Sequence, residues 1–427
     1  MNISKLFKKV ICLLLCAAMV LPLSACMSNS QAEKTDDESI EAKLIKDDPV
    51  PDPSTEVTDP SQYYDQHEAV TQASIELLLK LYQSGKSRLI SPMSIYYALA
   101  MLANGAEGET LSELEDFMGM DRNTLNYFLY AYYQEFVDGQ GIHVANSIWM
   151  RNNPNLMIHD SFLNRNLEWL ASETHTWDND QDGVEAINGW VNENTDGMIP
   201  SVLDQIPVDA QLYLINAICF EMNWASPFTE LDVWDGEFTD YAGKVYETEF
   251  MHGDSYQYLD FGNAKGIMKS YENPDYAFVA ILPDEDLSTF LSSLSASSFA
   301  DALANPKHAD VSYSLPKFTV QDSMDLSDIL KLMGVETVFD PANADLSGIG
   351  EIEGGNLYAS RVLHKTFIEV AEQGTKAGAV TVVEVLTSGA YMEDTLFLDF
   401  NVPFLYMIID TTTGTPLFIG TFECPEG

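Results

Sequence analysis

One stretch near the end of the chain restricts the fold more than any other, from Glu369 to Phe404. Taken by parity, Thr375, Ala377, Ala379, Thr381, Val383 and Val385 fall on one face of an extended strand. Lys376, Gly378, Val380, Val382 and Glu384 fall on the other. Side chains alternate across a strand, and a slip of one residue would exchange the two faces. The first face holds no charge and no bulky residue, and both charges sit on the second. That pattern suits a strand entering a sheet with one face on a core. Yet its first half is Gly and Ala, which are depleted in strands. Past Leu386 the run Thr387-Ser388-Gly389-Ala390 is loop chemistry. No proline between Thr375 and Val402 forbids pairing. The segment reads as a loop able to become a strand, although a plain hairpin strand followed by a loop satisfies the same parity.

Charge and cysteine content exclude several function classes. Without the three lysines of residues 1–25, the chain carries 18 basic against 66 acidic residues, a balance of −48. Phosphate binding needs clustered Lys and Arg, so a nucleic-acid partner is not expected. The charge favours solubility and attracts cationic partners at long range. The five cysteines, Cys12, Cys16, Cys26, Cys219 and Cys424, form no C-x-x-C pair and hence no zinc or thioredoxin signature. Cys219 lies in an apolar run and reads as a small core residue; a Cys219–Cys424 disulfide is open but unsupported. There is no H-E-x-x-H, G-x-S-x-G or P-loop. No metal, no cofactor and no enzymatic site are expected.

The N-terminus is a targeting region. Lys5, Lys8 and Lys9 precede an apolar run from Val10 to Leu21, the layout of a secretory signal and too short to span a membrane. Leu23-Ser24-Ala25-Cys26 resembles a bacterial lipobox, which implies cleavage before Cys26 and its lipidation. Two or three acyl chains suffice for stable anchoring. Residues 26–65, rich in Asp, Glu, Ser, Thr and Pro, read as an extended, disordered tether.

Beyond the tether, Ala69, Ile75, Leu78, Leu79 and Tyr82 repeat at helical spacing between Glu68 and Tyr82. Ser91 and Pro92 cap and open a second, buried helix. Strands are expected over His143–Met150, Gln211–Phe220, Tyr276–Pro283 and Val311–Phe318, and helices over His159–Ala171 and Asp325–Met333. Asn216 inside an apolar strand needs a partner, because an unpaired buried amide is costly.

Several motifs, in one order, resemble the serpin family from Glu68 to Pro425. Glu372-Gln-Gly374-Thr375-Lys-Ala377-Gly-Ala379 is similar to the hinge of the serpin reactive loop, and His364 to Glu369 to the strand that leads into it. Asn188-Gly-Trp190-Val-Asn-Glu-Asn-Thr195-Asp-Gly197-Met-Ile199 resembles the family's N-x-W-V-x-x-x-T-x-G-x-I segment, with Asp196 and Met198 as mild departures. Pro403-Phe404-Leu405-Tyr406 and Pro416 to Gly420 resemble its C-terminal strands.

The resemblance implies an α+β fold in one domain, residues 66–427, with about three sheets, eight to nine helices and an exposed reactive loop near residues 373–402. It implies a shutter containing Ser91, Ser94, Asn216 and His364, with Asn216 joined to His364. It implies a breach at Trp224, and a pairing of Lys317 with Glu372. The implied activity is suicide inhibition of a serine protease. The cut loop, still esterified to the protease, enters the sheet as a new strand. An uncharged inner face from Thr375 to Val385 meets that requirement, and its eleven residues span roughly 36 Å at ~3.3 Å each. Counting sixteen residues from Glu372 places the reactive bond at Ser388–Gly389, with Thr387, Gly389 and Ala390 as alternatives. These small residues point to an elastase-like or subtilisin-like target; Tyr391 or Met392 would point to a chymotrypsin-like one. A monomer is expected. The alternative is a non-inhibitory serpin serving as a surface binding or structural protein.

Overall fold

The computed structural model describes residues 43–47, 50–56, 66–136, 141–375 and 395–425, all within the compact unit Ile40–Gly427. In chain order the strands are β1 (Lys43–Ile45), β2 (Arg88–Ile90), β3 (Ile142–Arg151), β4 (Leu156–His159), β5 (Ser172–Trp177), β6 (Leu212–Phe220), β7 (Met222–Asn223), β8 (Val233–Thr239), β9 (Val245–Asp260) and β10 (Ala264–Ser270). They continue with β11 (Tyr276–Pro283), β12 (Lys307–Pro316), β13 (Phe318–Asp325), β14 (Gly350–Ile352), β15 (Leu363–Val370), β16 (Gly374–Thr375), β17 (Leu396–Asp399), β18 (Phe404–Asp410) and β19 (Pro416–Phe422). Helices pack around them, giving a mixed α+β fold.

The strands form a large sheet ordered β17-β12-β9-β10-β11-β18-β19-β2, with β8 also on β9. Two smaller sheets face each other along one gap: β5-β3-β6, and β13-β15-β16-β7. A fourth joins β1, β4 and β14. Because β7 comes directly after β6, separated by the single residue Glu221, the two facing sheets share a strand line and are bridged by β16 alone among the described residues.

Beneath the gap runs the helix Pro92–Ala103. Ser91 caps it, accepting from the Ser94 amide at 3.4 Å, with Pro92 at the first position. Every residue of this helix except Ala98 is buried. An all-round apolar helix needs cover on every side; the sheets supply part of it and neighbouring helices the rest, with the Tyr96 and Tyr97 hydroxyls donating to the Met118 and Leu129 carbonyls.

The first amphipathic helix runs Gln66–Leu81 and buries Val70, Ile75, Leu77, Leu78 and Leu81, whereas Leu79 is 38% exposed. Thr71 and Ser74 also lie on the buried face. Their hydroxyls donate to the carbonyls of His67 and Val70, four residues back, so polar residues sit in the core without an orphaned group. The expected strand from Val311 to Phe318 is two strands meeting at Lys317. Cys219 and Cys424 are buried and are not joined in a disulfide.

The tether departs most from expectation. Part of it is docked on the domain: β1 pairs in parallel with β4, Leu44 opposite Ile158. Asp47 accepts from the Ser161 hydroxyl at 2.8 Å and lies 2.9 Å from His159 Nδ1. Pro53 is buried, and Val50 packs against the main core. An unpaired edge of β4 offers backbone partners that a polar composition does not reveal. Cys26 lies outside the described residues.

Candidate functional site

The site is the gap between β6 and β15. At its upper end it already holds two residues of an extra strand. Thr375 stands opposite Met222 of β7 and Val370 of β15, and Gly374 opposite Asn223. Thr375 is 1% exposed, and its hydroxyl oxygen lies 2.5 Å from that of Tyr271. Gly374 has no alternative at its position, because a Cβ there would fall 2.1 Å from the Met222 carbonyl oxygen.

Trp224 holds the approach to this strand. Its indole N–H donates to the Ala371 carbonyl at 2.9 Å and its amide to the Gln373 carbonyl at 2.8 Å. The Phe228 amide donates to the Glu372 carbonyl at 2.9 Å. Tyr271 stacks on Trp224 with ring centroids 4.6 Å apart. Lys317 donates to Glu372 at 2.7 Å and to Glu249 at 2.9 Å. Partial burial disfavours the charge on Glu372, but the Lys317 ammonium outweighs it and holds the carboxyl below its ordinary range.

Below Thr375 the gap opens into a cavity of about 160 Å3. Leu99, Leu102, Leu212, Leu214, Leu357 and Val362 line it, together with Ser94, Asn216 and His364. His364 Nε2 accepts from the Ser91 amide at 3.1 Å, so its proton sits on Nδ1. Burial pushes its pKa down to about 4. The neighbouring Thr366 hydroxyl donates to the Leu89 carbonyl at 2.8 Å. These contacts fasten β15 to the segment that leads into the buried helix.

Asn216 does not join His364, contrary to expectation. It donates across its own sheet to Asn146 Oδ1 at 2.9 Å. Asn146 in turn donates to the Leu170 carbonyl at 2.7 Å. Among the described residues the Asn216 side-chain oxygen is buried with no hydrogen-bond partner. The reason is the gap itself, since β6 and β15 belong to separate sheets at this level.

Ala377, Ala379, Ser388 and Gly389, with the alternatives Thr387, Ala390, Tyr391 and Met392, lie outside the described residues. Two contributors escape sequence reasoning. Tyr271 comes directly after β10 with no motif around it, and its role depends on a partner 104 positions away. Lys269 lies 4.2 Å from the Phe228 ring centroid and 5.5 Å from that of Trp224, and donates to the Ser226 carbonyl at 2.8 Å. Burial pushes its pKa down to about 8. Among the described residues no cluster of three His, Cys, Asp or Glu side chains is placed to hold a metal ion.

A family model described as "Serpin (serine protease inhibitor)" matches residues 68–425. The chain belongs to the serpin family. Among its relatives, a serpin-like protein of Thermococcus kodakarensis is 29% identical over 370 residues, covering 84% of this chain and 85% of that one. The leukocyte elastase inhibitor of Homo sapiens is 28% identical over 382 residues, covering 84% and 98%. The crystal structure of the thermophilic serpin tengpin in its native state superposes with a TM-score of 0.79 at 34% identity, covering 90% and 97%. The serpin fold is therefore that of this chain, and the family is one of protease inhibitors. Among the described residues, β6 and β15 of this serpin lie in separate sheets on either side of the gap.

Proposed function

We propose that this serpin traps a serine protease by inserting its cut loop into the gap between β6 and β15. One observation carries the reading: the loop's hinge already stands in the gap as β16, with an open, apolar continuation below it. The register of β16 runs on without adjustment. Continued by two-residue steps, it sets Ala377 opposite Phe220 and Ile368, and Ala379 opposite Ile218 and Thr366. Thr381 then meets Asn216 and His364, where its hydroxyl supplies a donor for the unpartnered Asn216 oxygen. Opposite residues of an antiparallel pair share a face, so the small, uncharged set of the loop points inward with Thr375.

Chemically, the protease serine attacks the Ser388 carbonyl carbon, the Ser388–Gly389 bond breaks, and Gly389 leaves as an amine. Ser388 remains esterified to the protease. Insertion then pairs about eleven residues, roughly 36 Å of strand, and removes the esterified end from its starting position before water cleaves the ester. The small residues Thr387 to Ala390 favour an elastase-like or subtilisin-like target. A relative named as a leukocyte elastase inhibitor is consistent with that class. The lipobox-like Leu23–Cys26 supports secretion and lipid anchoring at a bacterial cell envelope, with the domain acting as a monomer. A Cys26→Ser variant recovered in the soluble rather than the membrane fraction tests the anchor.

The deciding experiment mixes residues 40–427 with pancreatic elastase, and denaturing electrophoresis and mass spectrometry read the products. A band at the summed mass, with a released peptide beginning at Gly389, supports the mechanism and the bond. Clean cleavage with no covalent band, repeated with subtilisin and chymotrypsin, overturns it in favour of a non-inhibitory surface protein.

A further inference from the structure

The lower end of the gap carries a fastening of its own. Asp209, in the segment that leads into β6, and Tyr358, in the segment that leads into β15, both line the cavity. The Tyr358 hydroxyl donates across it to Asp209 Oδ2 at 3.2 Å. Partial burial and the Asp209 carboxylate raise the pKa of this phenol, so Tyr358 keeps its proton and remains a donor above neutral pH.

Each side is otherwise tied away from the gap. On the β6 side, the Arg151 guanidinium donates to the Ala210 carbonyl at 2.8 Å and the Arg151 amide to the Gln211 carbonyl at 2.8 Å. On the β15 side, the Ala359 amide donates to the Val338 carbonyl at 2.9 Å, and the Asn356 side chain to the Ala344 carbonyl at 2.8 Å. The bond between Tyr358 and Asp209 can therefore break while both sides stay anchored.

Two separate counts meet at this bond. The register of β16 gives each loop residue one partner on the β6 line and one on the β15 line. Continued downwards, it sets Val385 between Leu212 and Ser360. Thr387 then falls between Ala210 and Tyr358, and Ser388 between Asp209 and Leu357. The other count, sixteen residues from Glu372, makes Ser388 the residue esterified to the protease. The eleven residues from Thr375 to Val385 fit above the bond, and the last three, Leu386 to Ser388, meet it. A strand added between two others sets them roughly 9.5 Å apart in place of about 4.8 Å. A bond closed across the gap at 3.2 Å opens when the loop arrives.

We propose that the Tyr358–Asp209 hydrogen bond is an end stop on insertion, which stands until Leu386 to Ser388 enter and whose release sets how fast the esterified residue reaches its final place. Tyr358 and Asp209 act on the path of the loop and not on the ester, so they are positioning residues. The proposal rests on the inhibitory reading above and adds to it the step at which trapping and hydrolysis compete. One such bond is a modest interaction, so it changes a rate severalfold and leaves insertion possible.

The test follows insertion in the chain from Ile40 onward with an environment-sensitive dye on Leu386→Cys. Leu386 has the outward parity of Lys376 and Glu384, and Cys219 and Cys424 are too buried to take the label. Pancreatic elastase is added by stopped flow; denaturing electrophoresis reads trapping, and the melting temperature of the cut chain reads insertion. Tyr358→Phe, which keeps the ring, is expected to quicken the slow dye phase about threefold to tenfold. Asp209→Ala is expected to do the same, and Asp209→Asn, which keeps a carbonyl acceptor, to stay near the parent's rate. Tyr358→Phe combined with Asp209→Ala is expected to be no faster than either alone, because both remove one shared bond. Rates within twofold of the parent for both single variants, or effects that add in the double variant, overturn the end stop; covalent trapping by the parent then leaves the inhibitory reading standing. A loop that inserts without covalent trapping, and faster in Tyr358→Phe, sustains the end stop and removes the inhibitory mechanism. A cut loop that leaves both dye signal and melting temperature unchanged in every variant removes insertion, and the end stop with it.

Discussion

Thr375 offers the sharpest test of the mechanism. It occupies the last described position of β16, 1% exposed, between Val370 and Met222, with its hydroxyl on Tyr271. Replacing it with arginine leaves two outcomes. Either the guanidinium enters a site with no carboxylate among these neighbours, or β16 leaves the gap and the cation returns to water. An unpaired buried charge costs several kcal/mol even after relaxation, so the second outcome wins. Trapping and ordinary hydrolysis compete from one acyl-enzyme, and each 1.4 kcal/mol added to the insertion barrier shifts that competition about tenfold. A penalty of only about 3 kcal/mol then lowers the trapped fraction on the order of a hundredfold. The assay is the number of serpin molecules consumed per elastase inactivated, read by residual activity and by gel. Thr375→Arg is expected to be cut at Ser388–Gly389 at the parent's rate and to leave elastase active. Thr375→Ser, which keeps the hydroxyl, is expected to trap. If Thr375→Arg inactivates elastase with parental stoichiometry, the hinge is not the starting point of insertion and the reasoning is wrong.

Three further outcomes are expected. Lys317→Ala removes the cation shared by Glu372 and Glu249, but the three side chains are 27%, 31% and 54% exposed; the change in unfolding free energy by denaturant titration should stay within about 1 kcal/mol. His364 is held neutral by burial with a pKa of about 4. Because this lies below the unfolded value of about 6.5, stability is full above pH 6.5 and falls as pH drops towards 4, by about 3 kcal/mol. Asp410 and Glu423, whose carboxyls burial raises, bias the other way; comparing the pH slopes of the parent and His364→Gln isolates the histidine, and equal slopes contradict the assignment. Asp47→Ala removes the acceptor that ties the upstream segment to Ser161. Hydrogen exchange at Leu44 and Ile45 should then quicken while exchange in β11 stays unchanged.

How much the sequence discloses depends on where each signal resides. The capped helix at Ser91 and Pro92 and the strand Tyr276–Pro283 are local patterns, legible from spacing and capping residues alone. Asn216 is legible as a buried amide in need of a partner, but the partner is not. Its choice of Asn146 over His364 depends on how far two strands stand apart, and no residue in either strand encodes that distance by itself. The docked strand Lys43–Ile45 is invisible for a related reason. Composition describes what a segment does in water, whereas the vacant edge of β4 lies more than a hundred residues away. Tyr271 is hidden because a lone tyrosine after a strand has no pattern until Thr375 is placed against it.

The two residues of β16 also set the kinetic character of insertion. Adding a strand to a sheet is slow chiefly at its first step, when chain ends must meet before any hydrogen bond rewards them. Under the proposed mechanism that step is complete before a protease arrives, and Trp224 keeps the entrance aligned through Ala371 and Gln373. Only propagation is left, one residue pair at a time, down a channel whose walls are already built. In the proposed mechanism the speed of the trap then depends on how readily the loop fills that channel, and changes in Ser94, Leu214 or Val362, which line it, tune that speed without touching the loop.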